Sequence, residues 1–182
     1  MAGTAGGRIL RAPAGNETRP TSDRVREAVF NALGSLGGVD DATVADLFAG
    51  SGALGIEALS RGAASVTFVE SSAGARVVIE ANLASTRLGD RATIVGSDAI
   101  AHLDTTAERY DLILADPPYA FDRWPALAVA AVARLTSSGL LVAESDREPD
   151  LGAVASVLRS RRYGSTVVVF ARPHPDPEVL GE

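Results

Sequence analysis

The sequence predicts an α/β fold built on a parallel sheet with helices on both faces. Three observations carry this. From Thr43 onward, short apolar runs alternate with helical spacings, and that rhythm closes as a parallel sheet covered on both sides. A glycine-rich turn follows the first apolar run and opens a helix. The runs end in polar residues, and parallel strands joined by helices deliver their ends to one rim. A chain of 182 residues suits one domain with a sizeable core.

Residues 1–20 are rich in Gly, Pro, Thr and Arg and read as an N-terminal arm, with Arg8-Ile9-Leu10 as one short strand. The main domain runs over 21–172. Thr21 or Ser22 caps a helix whose apolar face is Val25, Ala28, Val29, Ala32 and Leu33, ended by Gly34, Gly37 and Gly38. Strand Val44–Phe48, helix Leu54–Ser60, strand Val66–Val69, helix Ala73–Leu83 and strand Ala92–Val95 follow. Leu112–Ala115 is a fourth strand, Trp124–Leu135 an alanine-rich helix and Leu140–Ala143 a fifth strand ending at Glu144. Leu151, Val154, Ala155 and Leu158 then predict a helix that gives way to a strand by Arg161. Tyr163-Gly164-Ser165 reads as a hairpin turn and Thr166–Ala171 as the last strand. The proline-containing stretch 173–182 is expected to be a disordered tail.

The chain has no cysteine, and His102 and His174 stand far apart, so no disulfide and no metal site is expected. No apolar leader or membrane span is visible, and a cytoplasmic monomer is the expectation. The net charge of −6 argues against a general nucleic-acid binder. The distribution is uneven. Residues 1–30 carry Arg8, Arg11, Arg19, Arg24 and Arg26 against three acids, a surplus of +2 that leaves −8 for the rest. A polyanion would therefore meet the N-terminal segment. All 17 basic residues are arginine, a bias that codon usage explains, although arginine also suits bidentate phosphate contacts.

Gly50, Gly52 and Gly55 form G-x-G-x-x-G between a strand and a helix, the context in which such a turn lets a nucleotide-like cofactor approach the backbone. Glu70, 20 residues after Gly50, ends the next strand, where an acid can accept ribose hydroxyls. Asp46 lies inside a strand, costly unless glycine-loop amides or a cationic ligand meet it. Ser97 and Asp98 end the third strand, and Asp116-Pro117-Pro118-Tyr119 the fourth. Two prolines leave that last corner rich in acceptors and poor in donors, which suits a ligand offering N–H groups, while Tyr119 offers a stacking face. A dinucleotide-dependent enzyme would need a second domain for its catalytic groups. S-adenosylmethionine needs less, and its sulfonium suits a rim of Asp46, Glu70, Asp98 and Asp116.

The runs Asp46-Leu47-Phe48-Ala49-Gly50-Ser51-Gly52-Ala53-Leu54-Gly55, Glu57-Ala58-Leu59-Ser60-Arg61-Gly62-Ala63, Val69-Glu70, Asp116-Pro117-Pro118-Tyr119 and Arg19-Pro20-Thr21-Ser22-Asp23-Arg24-Val25-Arg26-Glu27-Ala28-Val29-Phe30-Asn31 together resemble the RsmD family. These are bacterial S-adenosylmethionine-dependent methyltransferases acting on the exocyclic N2 of one guanine in 16S ribosomal RNA. The resemblance spans about Gly6 to Arg172. It departs at the start, where family members carry a strand ahead of the Ala2-Gly3 equivalent.

The resemblance implies a class I, Rossmann-like methyltransferase fold: seven strands, mainly parallel, with one antiparallel strand near the edge, for which Thr166–Ala171 is the candidate. It implies S-adenosylmethionine at Asp46, Phe48, Gly50, Gly52, Gly55, Glu70, Ser71, Ser97, Asp98 and Asp116. Asp116 and Pro117 would accept the N–H bonds of the target amine and Tyr119 would stack on its base. Arg8, Arg11, Arg19, Arg24 and Arg26 are candidate contacts to 16S rRNA, met in the 30S subunit. Phe121 and Trp124 extend the stacking surface or, for Trp124 above all, join the core. Two readings from the residues stay open beside this one: adenine-N6 methylation, which shares Asp-Pro-Pro-Tyr, and a nicotinamide oxidoreductase or non-catalytic RNA-binding factor on the same glycine loop.

Overall fold

The computed structural model describes residues 3–12 and 23–175. Seven strands form one sheet in the order β3-β2-β1-β4-β5-β7-β6. They are β1 (Thr43–Leu47), β2 (Ser65–Val69), β3 (Ala92–Val95), β4 (Tyr110–Ala115), β5 (Leu135–Ser145), β6 (Ala155–Tyr163) and β7 (Thr166–Pro173). The first five run parallel, and β7 is antiparallel to both its neighbours, β5 and β6. It is the reversed strand expected near the edge. This is the class I, Rossmann-like methyltransferase arrangement.

Side-chain alternation builds two cores. Val44, Val66, Phe68, Leu112 and Leu114 point to one face, against α1 (Asp23–Gly34), α2 (Ala53–Ser60) and α3 (Ala73–Thr86). Ala45, Leu47, Ile113, Ala115 and Leu141 point to the other, against α4 (Ala99–Thr105) and α5 (Trp124–Val132). Helix α1 buries Val25, Val29 and Leu33 of the expected face and adds Phe30, while Ala28 and Ala32 are half-buried. The caps proposed for it, Thr21 and Ser22, lie outside the described residues, as do Arg19 and the 176–182 part of the expected tail.

Four expectations are corrected. Arg8-Ile9-Leu10 forms no strand, and Ile9 is exposed. Instead a single 3₁₀ turn, Gly3–Ala5, docks on α2: the Ala5 amide donates to Ser60 Oγ at 2.7 Å, and any Cβ on Gly3 would collide with the Ser60 carbonyl. The helix over 150–158 does not form. Asp150 Oδ1 accepts the Gly152 N–H, Gly152 is left-handed, and β6 begins at Ala155. The fifth strand is longer than expected, starting at Leu135. The short helix α4 was not foreseen; Asp98 caps it by accepting from the Ile100 and Ala101 amides. Its buried His102 bonds the Tyr110 hydroxyl, which donates to Glu108, tying α4 to the start of β4. Past β7, His174 still donates its N–H to Val154, beyond the expected boundary at 172. Among the described residues no helix is long and apolar enough to cross a membrane.

Candidate active site

Strand register sets the site. Val95 pairs with Val69, Val69 with Leu47, Leu47 with Ala115 and Ala115 with Ala143. The residues just beyond this row are Gly96, Glu70, Phe48, Asp116 and Glu144, so one sheet rim collects the polar strand ends the sequence points to.

The glycine loop is held from below and from the side. Gly52 is the N-cap of α2, left-handed at φ 77°, and brings no capping side chain. Asp46 of β1 replaces it: its Oδ2 accepts the Gly55 N–H at 2.8 Å, satisfying one of the helix's orphan amides. Gly50, also left-handed, donates its N–H to Glu70 Oε2 at 2.8 Å, while Glu70 Oε1 accepts from Ser72 at 2.8 Å. Asn82 of α3, fully buried, grips the loop from the third side. Its Nδ2 donates to the Ser51 and Arg11 carbonyls and its Oδ1 accepts the Arg11 N–H. Sequence reasoning missed Asn82; an amide side chain in line with Ala75, Ile79 and Leu83 on the inner face of α3 was the available signal.

The charge of the rim differs from that expected. Burial pushes the Asp46 carboxyl up to about 8, opposed by the Gly55 hydrogen bond and reinforced by the Asp116 and Glu70 charges. Burial thus favours the uncharged form of Asp46. Asp98 pairs with Arg123 at 2.9 Å and caps α4. Glu70 and Asp116, both half-buried, are the rim acids whose charges act on Asp46. Ser71 is exposed beside Glu70, and the Ser97 hydroxyl donates to the Asp98 carbonyl.

At the end of β4, Asp116 is half-buried, Pro117 buried and Tyr119 47% exposed. The Phe121 amide closes a turn onto the Pro118 carbonyl at 2.8 Å. That turn brings Phe121 edge-on to Phe48 (ring centroids 5.2 Å apart) and to Trp124 (5.4 Å). Trp124 is buried, as core. Phe48, left-handed at φ 59°, and Phe121 form an aromatic wall between the first and fourth strand ends.

The arginines divide. Arg24 is exposed on α1 and Arg11 is exposed beside Asn82. Arg8 is exposed and donates to the Ser85 carbonyl. Arg26 is corrected: it is 7% exposed, bonded to Asp23 at 2.5 Å, and lies 3.6 Å from buried Glu57. It joins α1 to α2.

The chain is similar to known proteins along most of its length. The family described as "Conserved hypothetical protein 95" matches residues 1–172. The Bacillus subtilis protein named "Putative rRNA methyltransferase YlbH" is 39% identical over 178 residues, covering 93% of this chain and 96% of that one. The Escherichia coli "Ribosomal RNA small subunit methyltransferase D" is 42% identical over 113 residues, 62% of this chain and 56% of that one. The structure described as "Putative methyltransferase yhhF from Escherichia coli" superposes with a TM-score of 0.83 at 32% identity, covering 97% of each chain. With the match running through glycine loop, acid rim and proline corner alike, the chain belongs to this family, the RsmD family that its motifs resemble.

Proposed function

We propose that the chain transfers a methyl group from S-adenosylmethionine to the exocyclic N2 of a guanine in 16S ribosomal RNA, in the assembled or assembling 30S subunit. The observation that carries the reading is the placement of Asp116 and Pro117 on the same strand-end row as Glu70 and the glycine loop. The names of the relatives support ribosomal RNA as the acceptor.

The residues fit the cofactor. A Cβ at Gly50 would meet nothing closer than the Phe48 carbonyl at 3.8 Å, so the loop leaves open space above its backbone. Glu70 and Asp116 supply acceptors and negative charge for a polyhydroxylated cation. Bound there, S-adenosylmethionine supplies an electrophilic methyl group on a sulfonium.

The chain's own residues then have one task, to aim a weak nucleophile. The lone pair of an aromatic amine is delocalised into its ring. The Asp116 carboxylate and the Pro117 carbonyl accept the two N–H bonds, which raises electron density on nitrogen and fixes its direction. Tyr119 stacks on the base, and the Phe48–Phe121 wall keeps water from the rim. Nitrogen becomes acidic once methylated, so Asp116 receives its proton after transfer. The rate gain comes from positioning and fixed charge.

The test is methyl incorporation into small subunits lacking the modification, beside naked 16S rRNA, with the modified base identified by mass spectrometry. Asp116→Ala is expected to lose transfer even at saturating S-adenosylmethionine, with the smaller loss of cofactor affinity read separately by calorimetry. Near wild-type transfer by that variant overturns the role of Asp116, and methyl-adenine as product overturns the guanine assignment.

A further inference from the structure

We infer that the exposed edge strand β6 is a second docking surface for the substrate RNA, with Arg159, Arg161 and Arg162 contacting its phosphates. The inference rests on the RNA substrate proposed above. It places part of the grip at the opposite end of the chain from the arginines of the arm.

The charge is the first observation. In a chain of net charge −6, residues 155–173 hold four arginines and no acid. Pairing is the second. Arg26, Arg61, Arg123 and Arg147 each meet a carboxylate. Arg159 reaches only the Ser35 hydroxyl at 3.5 Å and Arg161 only the Ser160 carbonyl at 3.3 Å. Among the described residues none of the three arginines of β6 forms an ion pair. Guanidinium groups without a carboxylate partner suit bidentate contact with phosphate.

Position is the third observation. Arg161 pairs with Val168, which pairs with Glu144, the residue after the Ala143 partner of Ala115. Arg161 thus stands level with Asp116, three strand spacings away, about 14 Å at the usual separation. Arg159 and Arg161 project to the face of Val168 and Phe170, which is also the α1 face. Arg162 projects to the other face. An RNA strand that puts its base into the proline corner passes this edge within a few nucleotides. The edge also suits a polyanion better than another strand. Leu158 is an extra residue between the paired Val157 and Arg159, and a bulge together with charged side chains discourages edge-to-edge pairing.

The test is the triple variant Arg159→Gln, Arg161→Gln and Arg162→Gln, with Arg87→Gln at the far end of α3 as control and melting curves to confirm folding. Filter binding to small subunits from 50 to 200 mM salt, and methyl transfer to the same subunits, are both measured. The triple variant is expected to lower the slope of log affinity against log salt by about 2, to raise KM for subunits about tenfold, and to leave kcat and cofactor affinity unchanged. A triple variant with wild-type slope and KM overturns the inference and leaves the proposed function standing. A wild-type protein that binds subunits through β6 but transfers no methyl group overturns the proposed function and leaves the docking surface standing. A wild-type dimer in sedimentation that the triple variant loses assigns the edge to a second copy and overturns it too.

Discussion

Glu70 spends both carboxylate oxygens on main-chain amides, accepting from Gly50 and from Ser72 at 2.8 Å each. An acid placed to bind a ribose is therefore also the tie that sets the height of the glycine loop. Each oxygen keeps a second lone pair for a ligand. Glu70→Ala is expected to weaken cofactor binding about tenfold or more, roughly 1.4 kcal/mol, and Glu70→Gln by less, because one acceptor oxygen remains. Calorimetry with S-adenosylmethionine and with S-adenosylhomocysteine, whose sulfur is uncharged, checks the cause. Equal losses point to the loop and the ribose. A loss confined to the cation would mean that Glu70 acts only through its charge.

Gly55 is constrained by packing rather than by backbone angle. A Cβ there would stand 2.3 Å from Phe68 Cε1 and 2.8 Å from Val66 Cγ1, so the helix seats directly on β2. Gly55→Ala is expected to cost ~1–3 kcal/mol, read as a lower denaturant midpoint. It should also lower cofactor affinity, since α2 and its loop move together. Unchanged stability would show that Phe68 has room to turn.

These residues show what was legible in the sequence. The apolar runs of β1, β2 and β4, set between helical spacings, reported the two-sided sheet, and the glycines, Glu70 and Asp116 marked its rim. Partnerships across the chain were not legible. Asp98 read as a site acid; that it also caps a helix was hidden, because seven residues are too few to show a period. Leu151, Val154, Ala155 and Leu158 mimic one helical face, because the bulge at Leu158 breaks the period-two pattern of β6. Arg26 read as a phosphate ligand by its charge alone; the carboxylate that draws it inward belongs to Glu57, on another helix.

Arg26 and Arg24, two residues apart on α1, should separate stability from binding. Arg26→Ala removes one charged neighbour of buried Glu57, which keeps its bond to Arg61 at 2.7 Å. A loss on the order of 2 kcal/mol is expected, with RNA affinity per folded molecule unchanged. Arg24→Ala, at an exposed position, should leave the melting temperature within a degree or so and reduce the salt slope of subunit binding by about 0.7–0.9. Chemical denaturation and filter binding on both variants decide it. Reversed effects would return Arg26 to the RNA surface.

Asp46 makes stability depend on pH in an unusual direction for a carboxylate. Its folded pKa of about 8 lies above the ordinary carboxylate value of 3.8. Between those values the unfolded chain has lost the proton while the folded chain retains it. The folded state then binds more protons, so stability falls as pH rises from about 4 to about 8 and levels off above. Asp46→Asn keeps an amide oxygen for the Gly55 N–H and has no proton to lose. Its melting temperature should match the wild type near pH 4 and exceed it by several degrees near pH 8. Parallel melting curves for the two proteins across that range would show that Asp46 ionises freely in the fold, and that its charge belongs to the rim after all.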